Sequence, residues 1–507
     1  MEQHRDNLTR CTWGCAQRSD SVSKPLWQVY ACGRIYIALA AINRCIAPKS
    51  KAAMEDWYQG TVLRRLLPVS AGQLSSQRFC DHMSYLDADK ISAIEQDLTR
   101  TLIDRFQVDL SCLLYDTTNF YTFIDTFNEA PTLAQRSKSK EKQTDLRIVG
   151  LALLVTKDFH VPLFHHVYPG NTHDSTEFAS VTETLVSRYR LFSQNVDRIT
   201  LVYDKGNNSH ENQTRLDDSD YHFVGSLSPV QHPDLLKIPQ SRFHPLQGED
   251  FEGVLAWRIR KHVLGAERTI LVTYNPELFL TQAATILREV RKRTRKLREL
   301  QIHLAHPPKT GKSISMESAE KQVAAILSGR HMKELIRVEL SGKKAILRLH
   351  YRMDRVAWDR LQRTLLGKNV LFTDHESWSD EGIVRAYRGQ HHIEEAFKRM
   401  KNPHFVSWHP LHHWTNQKIR VHAFYCVLAL MLSSLLRRTL VHKGIEMSIV
   451  KILATLSQIK EVALVYRGMQ SRTQPVVGLN TLTQQQERLF EALNLKRYLE
   501  PVGHTGQ

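Results

Sequence analysis

Three acidic residues stand where their carboxylates could share metal ions. Asp116 follows a nearly continuous apolar run, residues 110–115, and Asp204 follows another β-rich run, residues 198–203. Each run has the length and composition of a buried strand, so each predicts a carboxylate at a strand end. Glu394 lies further along the chain, on a predicted helix. Mg²⁺ and Mn²⁺ prefer carboxylate and water ligands, and two such ions can bind about 4 Å apart.

The predicted helix spans residues 381–401, EGIVRAYRGQHHIEEAFKRMK, and contains no proline. Its apolar side chains Ile393, Phe397 and Met400 recur at helical spacing and predict a face that packs on a core. A second stripe on this helix is polar and consists of Tyr387, Gln390 or His391, Glu394, Lys398 and Lys401. Taken alone, this stripe is more simply a solvated face with an ordinary Glu394–Lys398 pair. The two aspartates favour a functional face.

Each carboxylate has a plain structural alternative. Asp116 could begin a turn with the two threonines after it, and Asp204 could cap a helix ahead of Gly206. Glu395 is the direct rival of Glu394, about 100° round the helix, while Glu376 and Glu381 are remoter candidates. The spacing to Tyr387 and Lys401 favours Glu394.

The elements that must position these residues predict an α/β domain. Residues 24–105 have helical spacing and predict a helical N-terminal module. The order after it is strand, antiparallel hairpin, helix, strand, short helix, strand, which is typical of a mixed sheet. Asp204 and Glu394 are 190 positions apart, too far for a loop, so we expect an inserted domain with strand-like runs and a basic helix over residues 286–303. The predicted domains are residues 1–105, 106–227, 228–366, 367–440 and 441–507.

The bulk composition fits a reduced, intracellular, DNA-acting protein without requiring one. Lys and Arg number 69 against 52 Asp and Glu, a formal charge of +17 that would attract a polyanion. Seven scattered cysteines favour free thiols over disulfides, and over a zinc site at His4, Cys11 and Cys15. The first residues lack a signal-peptide pattern. The apolar stretch 423–436 is too short to span a membrane and predicts a buried helix.

Three further sequence features bear on nucleic acid or nucleotide binding. The loop 306–313, HPPKTGKS, ends like a phosphate-binding loop, but His306 occupies the position of its first glycine and no strand precedes it, so nucleotide binding is not expected. Basic residues of the N-terminal module would suit recognition of DNA ends, although a solvated surface explains them nearly as well: Arg34, Arg44, Lys49, Lys51, Arg64 and Arg65. For Trp257, Trp358 and Trp378, packing is a better explanation than base stacking.

The motifs together resemble bacterial insertion-sequence transposases of the DDE class, in the branch with a Y-x2-R-x3-E-x6-K signature. The resemblance covers residues 75–435. It is carried by LYDTTNFY around Asp116, LVYDKG around Asp204 and the spacing of Tyr387, Glu394 and Lys401. Supporting segments are residues 139–147, SKEKQTDLR, residues 169–174, PGNTHD, and residues 367–373, GKNVLFT.

This resemblance implies an RNase H-like core with a mixed sheet, interrupted by a β-rich insertion and flanked by helical modules. It implies a metal site of Asp116, Asp204 and Glu394 with two Mg²⁺ or Mn²⁺ ions, and DNA contacts by Tyr387 and Lys401, to which we add Arg388, Gln390 and Lys398. The implied partners are double-stranded DNA with terminal inverted repeats, target DNA and a second copy in a synaptic homodimer, in the bacterial cytoplasm at the nucleoid, with no membrane. Gln390 stands where the signature has arginine, so a phosphate contact is either rerouted, to Arg388 or His391, or weakened.

Overall fold

The computed structural model describes residues 26–70, 72–125, 131–137, 146–192, 198–306, 314–343, 346–464 and 476–499. The chain forms two compact units. Unit 1 comprises residues 1–222 and 388–507, and unit 2 comprises residues 223–387. The possible zinc ligands His4, Cys11 and Cys15, the segment 139–145 and the loop 307–313 lie outside the described residues.

The N-terminal part of unit 1 is helical, as predicted. Its helices are α1 (Leu26–Ile46), α2 (Met54–Gln59), α3 (Leu63–Leu66), α4 (Ser76–Met83) and α5 (Ala88–Phe106). The side chain of Asp87 accepts from Lys90 N and caps α5. A buried ion pair then joins α5 to the core, because both oxygens of Glu95 are used: Oε1 accepts from His165 N at 2.8 Å and Oε2 from Arg188 Nη1 at 2.6 Å.

The core of unit 1 is a mixed sheet that carries both aspartates. Its strands are β1 (Cys112–Tyr121), β2 (Gln135–Arg136), β3 (Arg147–Thr156), β4 (Pro162–Pro169) and β5 (Thr200–Tyr203). The spatial order is β4-β3-β1-β5, with β2 beside β4 on the same side of β3. β3 runs antiparallel to β1 and β4, whereas β5 runs parallel to β1. The strands read as apolar runs because both faces are covered.

Unit 1 contains further helices around and beyond this sheet. They are α6 (Asp174–Phe192), α7 (His210–Asp217), α14 (Gln390–Met400), α15 (Asn416–Val441), α16 (Ile449–Leu456) and α17 (Gln484–Ala492), with a short hairpin of β13 (Glu461–Leu464) and β14 (Val476–Leu479). The predicted mixed α/β fold, with a mixed sheet and helical terminal modules, is confirmed.

The apolar stretch predicted to be a buried core helix belongs to α15, which is longer than the sequence suggests. α15 has 26 residues, and its most apolar window would pass as a membrane span by length and composition. The length argument against a span was therefore wrong. Burial decides instead, because 72% of that window is inside the protein, as for the core helix of a globular domain.

Unit 2 combines an antiparallel sheet with a helical layer. The sheet order is β6-β12-β9-β8-β7, from β6 (His222–Leu227), β12 (Lys368–Thr373), β9 (Ala266–Tyr274), β8 (Leu255–Val263) and β7 (His244–Pro245). A second core packs the hairpin β10 (Ile336–Lys343) and β11 (Ile346–Met353) against helices. The helices of this second core are α9 (Pro276–Ala305), α10 (Met316–Ile326), α11 (Met332–Leu335) and α12 (Arg355–Thr364). Two further helices are α8 (Pro233–Leu236), before them, and α13 (Asp380–Arg388), after them. The predicted basic helix is confirmed and is part of α9.

Two element predictions were wrong in ways that matter for the site. β1 does not end before Asp116 but continues to Tyr121, because its antiparallel pairing with β3 runs from Leu113 to Tyr121. The single predicted helix 381–401 is two helices, α13 and α14, which part at Gly389. His392 N bonds to Gly389 O at 2.9 Å there, a tighter i to i+3 turn that starts α14 afresh.

Gly150 in the middle of β3 allows close packing of Tyr168 from β4. The two residues are register partners, and a Cβ at position 150 would lie 2.2 Å from Cε2 of that ring. We expect Gly150→Ala to cost about 1–3 kcal/mol of unfolding free energy, since neither the strand nor the buried ring can move aside. Urea unfolding measures this.

The matched control is Gly33→Ala in α1, where a Cβ meets no atom within 4 Å. It should be neutral or stabilising by up to about 1 kcal/mol, because alanine is the better helix former. Equal losses in the two variants would contradict the packing argument.

Candidate active site

Asp116 and Asp204 occupy equivalent positions on neighbouring parallel strands. The paired residues of β1 and β5 end with Leu114 opposite Val202, and each aspartate comes two residues later. Because opposite residues in a parallel pair point to one face and side chains alternate, both aspartates belong to the same face. Both are half-buried.

Neither aspartate has the plain structural role considered for it, a turn start for Asp116 or a helix cap for Asp204. Asp116 lies within β1, where it pairs with Leu153, so it does not begin a turn. Asp204 precedes a 3₁₀ turn, residues 205–207, but its side chain makes no capping hydrogen bond. Asp116 thus lies inside β1, whereas Asp204 directly follows β5, and its carbonyl oxygen accepts from Asn207 N in the turn.

The side chain of Gln390 connects α14 to both strands. Its Nε2 donates to Tyr115 O at 3.0 Å and to Val202 O at 3.1 Å. The first acceptor directly precedes Asp116, and the second lies two residues before Asp204. The first residue of α14 is therefore fixed to the point at which β1 and β5 separate.

α14 carries the two candidate glutamates on its solvent side. Glu394 lies 4.0 Å from Lys398 Nζ, and both side chains are mostly exposed, at 63% and 74%. Glu395 lies 3.7 Å from Arg399 Nη2, whose side chain is only 13% exposed. Glu395 thus balances a largely buried cation, whereas the weak exposed pair leaves Glu394 available for another cation.

The remaining residues expected at DNA lie on and around α13 and α14. Lys398 is exposed, and Lys401 at the end of α14 has its Nζ 5.7 Å from the centre of the Phe120 ring of β1. Arg388 ends α13 and is half-buried, and its carbonyl oxygen contacts His391 Nδ1. Tyr387 is the last residue of unit 2.

A fourth carboxylate, Asp174, lies beside both aspartate segments. Its Oδ1 accepts from Thr117 Oγ1 at 2.9 Å, and its Oδ2 would lie 3.6 Å from a Cβ at Gly206. Asn212 Nδ2 bridges Ser175 O and Asn207 O and holds the start of α6 against this turn. In the sequence, Asp174 stands out only as part of the segment PGNTHD. Its position depends on contact with Thr117, 57 residues earlier in the chain, and no local sequence pattern contains such a contact.

The donor set suits hard divalent cations, since Asp116, Asp204 and Glu394 offer only oxygen. Among the described residues, these three do not form a set whose oxygen atoms all lie within 4.8 Å of one another. Gln390 attaches the start of α14 to both strands, and Glu394 follows about one helical turn later on the same helix.

One family model covers most of this site and most of the chain. The family described as "Transposase DDE domain" matches residues 113–432, a range that includes all three carboxylates and both tethered strands. The chain belongs to this family. It is accordingly a DDE transposase, the class of enzyme that cleaves DNA and joins its strands.

Similar solved structures are distant. A synaptic complex of piggyBac transposase with hairpin DNA matches at 9% identity and a TM-score of 0.37, over 89% of this chain and 74% of that one. A Mos1 transposase paired-end complex with the left transposon end matches at 10% identity and a TM-score of 0.16, over 46% and 68%. A Mos1 mariner paired-end complex with Mn matches at 11% and 0.16, over 44% and 71%. No curated protein matches the sequence.

Half of the basic residues singled out in the N-terminal module of the transposase have structural partners. Arg44 is 2% exposed and donates to His409 O at 2.6 Å, so its expected place on a DNA-facing surface was wrong. Lys51 Nζ lies 4.1 Å from the ring centre of Tyr425, and burial lowers the pKa of Lys51 to about 7. Arg65 forms a paired hydrogen bond with Glu461. The exposed residues of this set are Arg34, Lys49 and Arg64.

The first turn of α6 contains a second acid, Glu177, with a shifted pKa. Its side chain is buried, 3.2 Å from His166 Nε2, and burial raises the pKa of Glu177 to about 7. Between the unfolded value near 4.5 and this folded value, the folded protein binds the extra proton. The stability contributed by that proton is therefore lost as the pH rises from about 4.5 to about 7.

We expect Glu177→Gln to remove this loss. The variant should match the parent near pH 4.5 and exceed it at pH 8 by roughly 3 kcal/mol at most. Urea unfolding at the two pH values measures the difference. Glu183→Gln, at an exposed position of the same helix, should change little at either pH. A Glu177→Gln effect that is the same at both values would contradict the assignment.

Proposed function

We propose that this transposase uses divalent metal ions to cleave DNA at the inverted-repeat ends of a bacterial insertion sequence and to join those ends to target DNA, a cut-and-paste reaction. The observation that carries the proposal is the placement of Asp116 and Asp204 at matching positions where β1 and β5 separate, with the Glu394 helix tethered to both strands by Gln390.

In this proposal Asp116, Asp204 and Glu394 hold Mg²⁺ or Mn²⁺, two ions in the full site. The ions would supply activation of water or of a terminal 3′-hydroxyl and stabilisation of the leaving oxygen. The chain itself contributes position: β1 and β5 fix two carboxylates on one sheet face, and α14 presents the third. Glu394 exchanges its weak pair with Lys398 for the metal, which frees that lysine for phosphate.

DNA contacts complete the proposal. Lys398 and Lys401 follow Glu394 on α14 and would meet phosphates next to the scissile bond, with Tyr387 and Arg388 preceding it along the chain. We further propose that double-stranded DNA with terminal repeats is bound by a synaptic homodimer. Two alternative functions differ from this proposal: a DNA-binding remnant that does not catalyse turnover, and a nuclease of the same fold that cannot join strands.

Asp116→Asn, Asp204→Asn and Glu394→Gln should each reduce cleavage about 10³-fold or more, because each removes a metal ligand from the reacting phosphate. The measurement is nicking and double-strand breakage, with Mg²⁺ or Mn²⁺, of duplex DNA that carries the repeats flanking the gene. Glu395→Gln is the matched control on the same turn of α14 and should retain cleavage.

Two further measurements, of DNA binding and of strand joining, separate the three candidate functions. Binding of the same DNA without metal should be unchanged in all four variants. Pre-cleaved ends should be joined to a target plasmid by the parent protein, whereas a plain nuclease would give hydrolysis products only. Cleavage that survives Asp116→Asn and Asp204→Asn would show the site to be wrongly placed, and a parent protein that binds but never cleaves would be a remnant.

A further inference from the structure

The side chain of Gln390 is committed to the protein interior and not to a ligand. An amide nitrogen has two hydrogens, and both are used, on Tyr115 O and Val202 O. Its Oε1 is buried and accepts no hydrogen bond among the described residues. A group in this state has no donor left for a DNA phosphate.

The two acceptors lie where the pairing of β1 and β5 ends: Val202 is the last paired residue of β5, and Tyr115 is the first residue of β1 beyond the pairing. β1 and β5 are paired only from Cys112 to Leu114 and from Thr200 to Val202. Beyond that point the strands separate, and the buried carbonyl oxygen of Tyr115 needs a donor from elsewhere. One amide from α14 serves one carbonyl on each strand, so it sets the width of the separation and the position of the helix together.

We infer that Gln390 is a positioning residue that holds the Asp116 strand, the Asp204 strand and the Glu394 helix in the geometry needed for metal binding. Glu394 lies four residues, about one helical turn, after Gln390, so a shift of the α14 start moves Glu394 with it. This role rests on the proposed metal site and replaces the phosphate contact that arginine would make at this position of the signature.

The test removes the two donors without removing the volume. Gln390→Met is nearly isosteric, and Gln390→Glu places a carboxylate against the two carbonyls. The readout is Mn²⁺ binding to the full-length protein by titration calorimetry without DNA, which needs no catalytic turnover. We expect both variants to bind Mn²⁺ about tenfold more weakly, as for other residues that orient metal ligands.

A matched control separates positioning from general stability. In unit 2, Gln301 on α9 also donates from a helix to a strand carbonyl, Leu349 O, at 2.6 Å. Gln301→Met loses a comparable bond and should leave Mn²⁺ affinity within twofold of the parent. Thermal melting of each variant confirms that it is folded.

The outcomes distinguish this inference from failure of the proposed function. If the parent protein binds Mn²⁺ and Asp116→Asn abolishes the binding, the proposed metal site is supported. In that case, a Gln390→Met variant with parental Mn²⁺ affinity but weaker DNA binding would overturn the positioning role in favour of a phosphate contact. If Asp116→Asn leaves Mn²⁺ binding unchanged, the proposed metal site is wrong, and the positioning role falls with it.

A second, independent observation concerns α9 in unit 2. Six cations of this helix are exposed and fall within less than half of its circumference: Arg288, Arg291, Lys292, Arg295, Lys296 and Arg298. In the part of unit 2 that the structure describes, none of the six makes an ion pair; the basic residue of this stretch that does is Arg293, with Glu289. The opposite side, with Val290, Leu297 and Leu300, is buried in the core of unit 2.

This arrangement is a fixed row of positive charge about 15 Å long, on a helix whose other face anchors it. Four of the six are arginines at i, i+3, i+7 and i+10, and arginine is suited to phosphate oxygens. We infer that this surface, which we call the α9 basic surface, binds the phosphate backbone of duplex DNA, independent of base sequence and in addition to the residues around Glu394.

Charge reversal tests the α9 basic surface. Arg291→Glu, Arg295→Glu and Arg298→Glu together should weaken metal-free binding to a duplex of about 30 base pairs and lower the slope of log affinity against log salt by about 2 to 3. The control makes the same net-charge change at exposed arginines of α12, namely Arg355→Glu, Arg360→Glu and Arg363→Glu. It should affect the slope little.

Equal losses for the two triple variants would mean that only total charge matters, and would overturn the assignment. Preferential loss of RNA binding with unchanged duplex binding would overturn it as well. Cleavage plays no part in this readout, so an inactive metal site would not alter the result.

Discussion

β1 and β5 pair side by side for three residues and then separate, and the candidate active site lies at that separation. Continuous pairing would have used the carbonyl of Tyr115 in the sheet and left no place there for a helix side chain. The two strands keep a common register up to Leu114 and Val202. Because they separate after these residues, a helix side chain can enter between them. The aspartates that follow share one face, and the amide of Gln390 closes the gap behind them.

On its other side, β1 is held by β3, and this pairing continues past the point at which β1 separates from β5. Pairing with β3 continues from Leu113 to Tyr121, so Asp116 lies inside a long, fully paired ladder although its β5 edge is open. Trp408, stacked on Phe120 at 4.2 Å, and Tyr168, laid over Gly150, pack the two faces of this ladder. Such packing matters for metal chemistry because a ligand displaced by an ångström loses much of its contribution.

Local patterns predicted the elements well and the junctions between them poorly. Apolar runs identified the strands before Asp116 and Asp204, and helical spacing identified the Glu394 helix, since burial imposes those periods directly. The extension of β1 past Asp116 was missed because the residues TTN look like a turn, and pairing with β3 overrides that local preference. The break at Gly389, the burial of Arg44 and the place of Asp174 depend on partners tens to hundreds of residues away, which no short window contains.

The neutral amide at position 390 has an electrostatic consequence for the site around it. In the proposed metal site the three carboxylates lie near one another and repel, and a cation offsets that repulsion. An arginine at position 390 would bring a permanent positive charge to the same side of β1 and β5 and would compete in part with a metal ion. Glutamine supplies the same kind of N–H donor to Tyr115 and Val202 without charge. In the proposed site, glutamine in place of the signature arginine therefore gives up a hold on phosphate and leaves the repulsion among the carboxylates to be offset by metal.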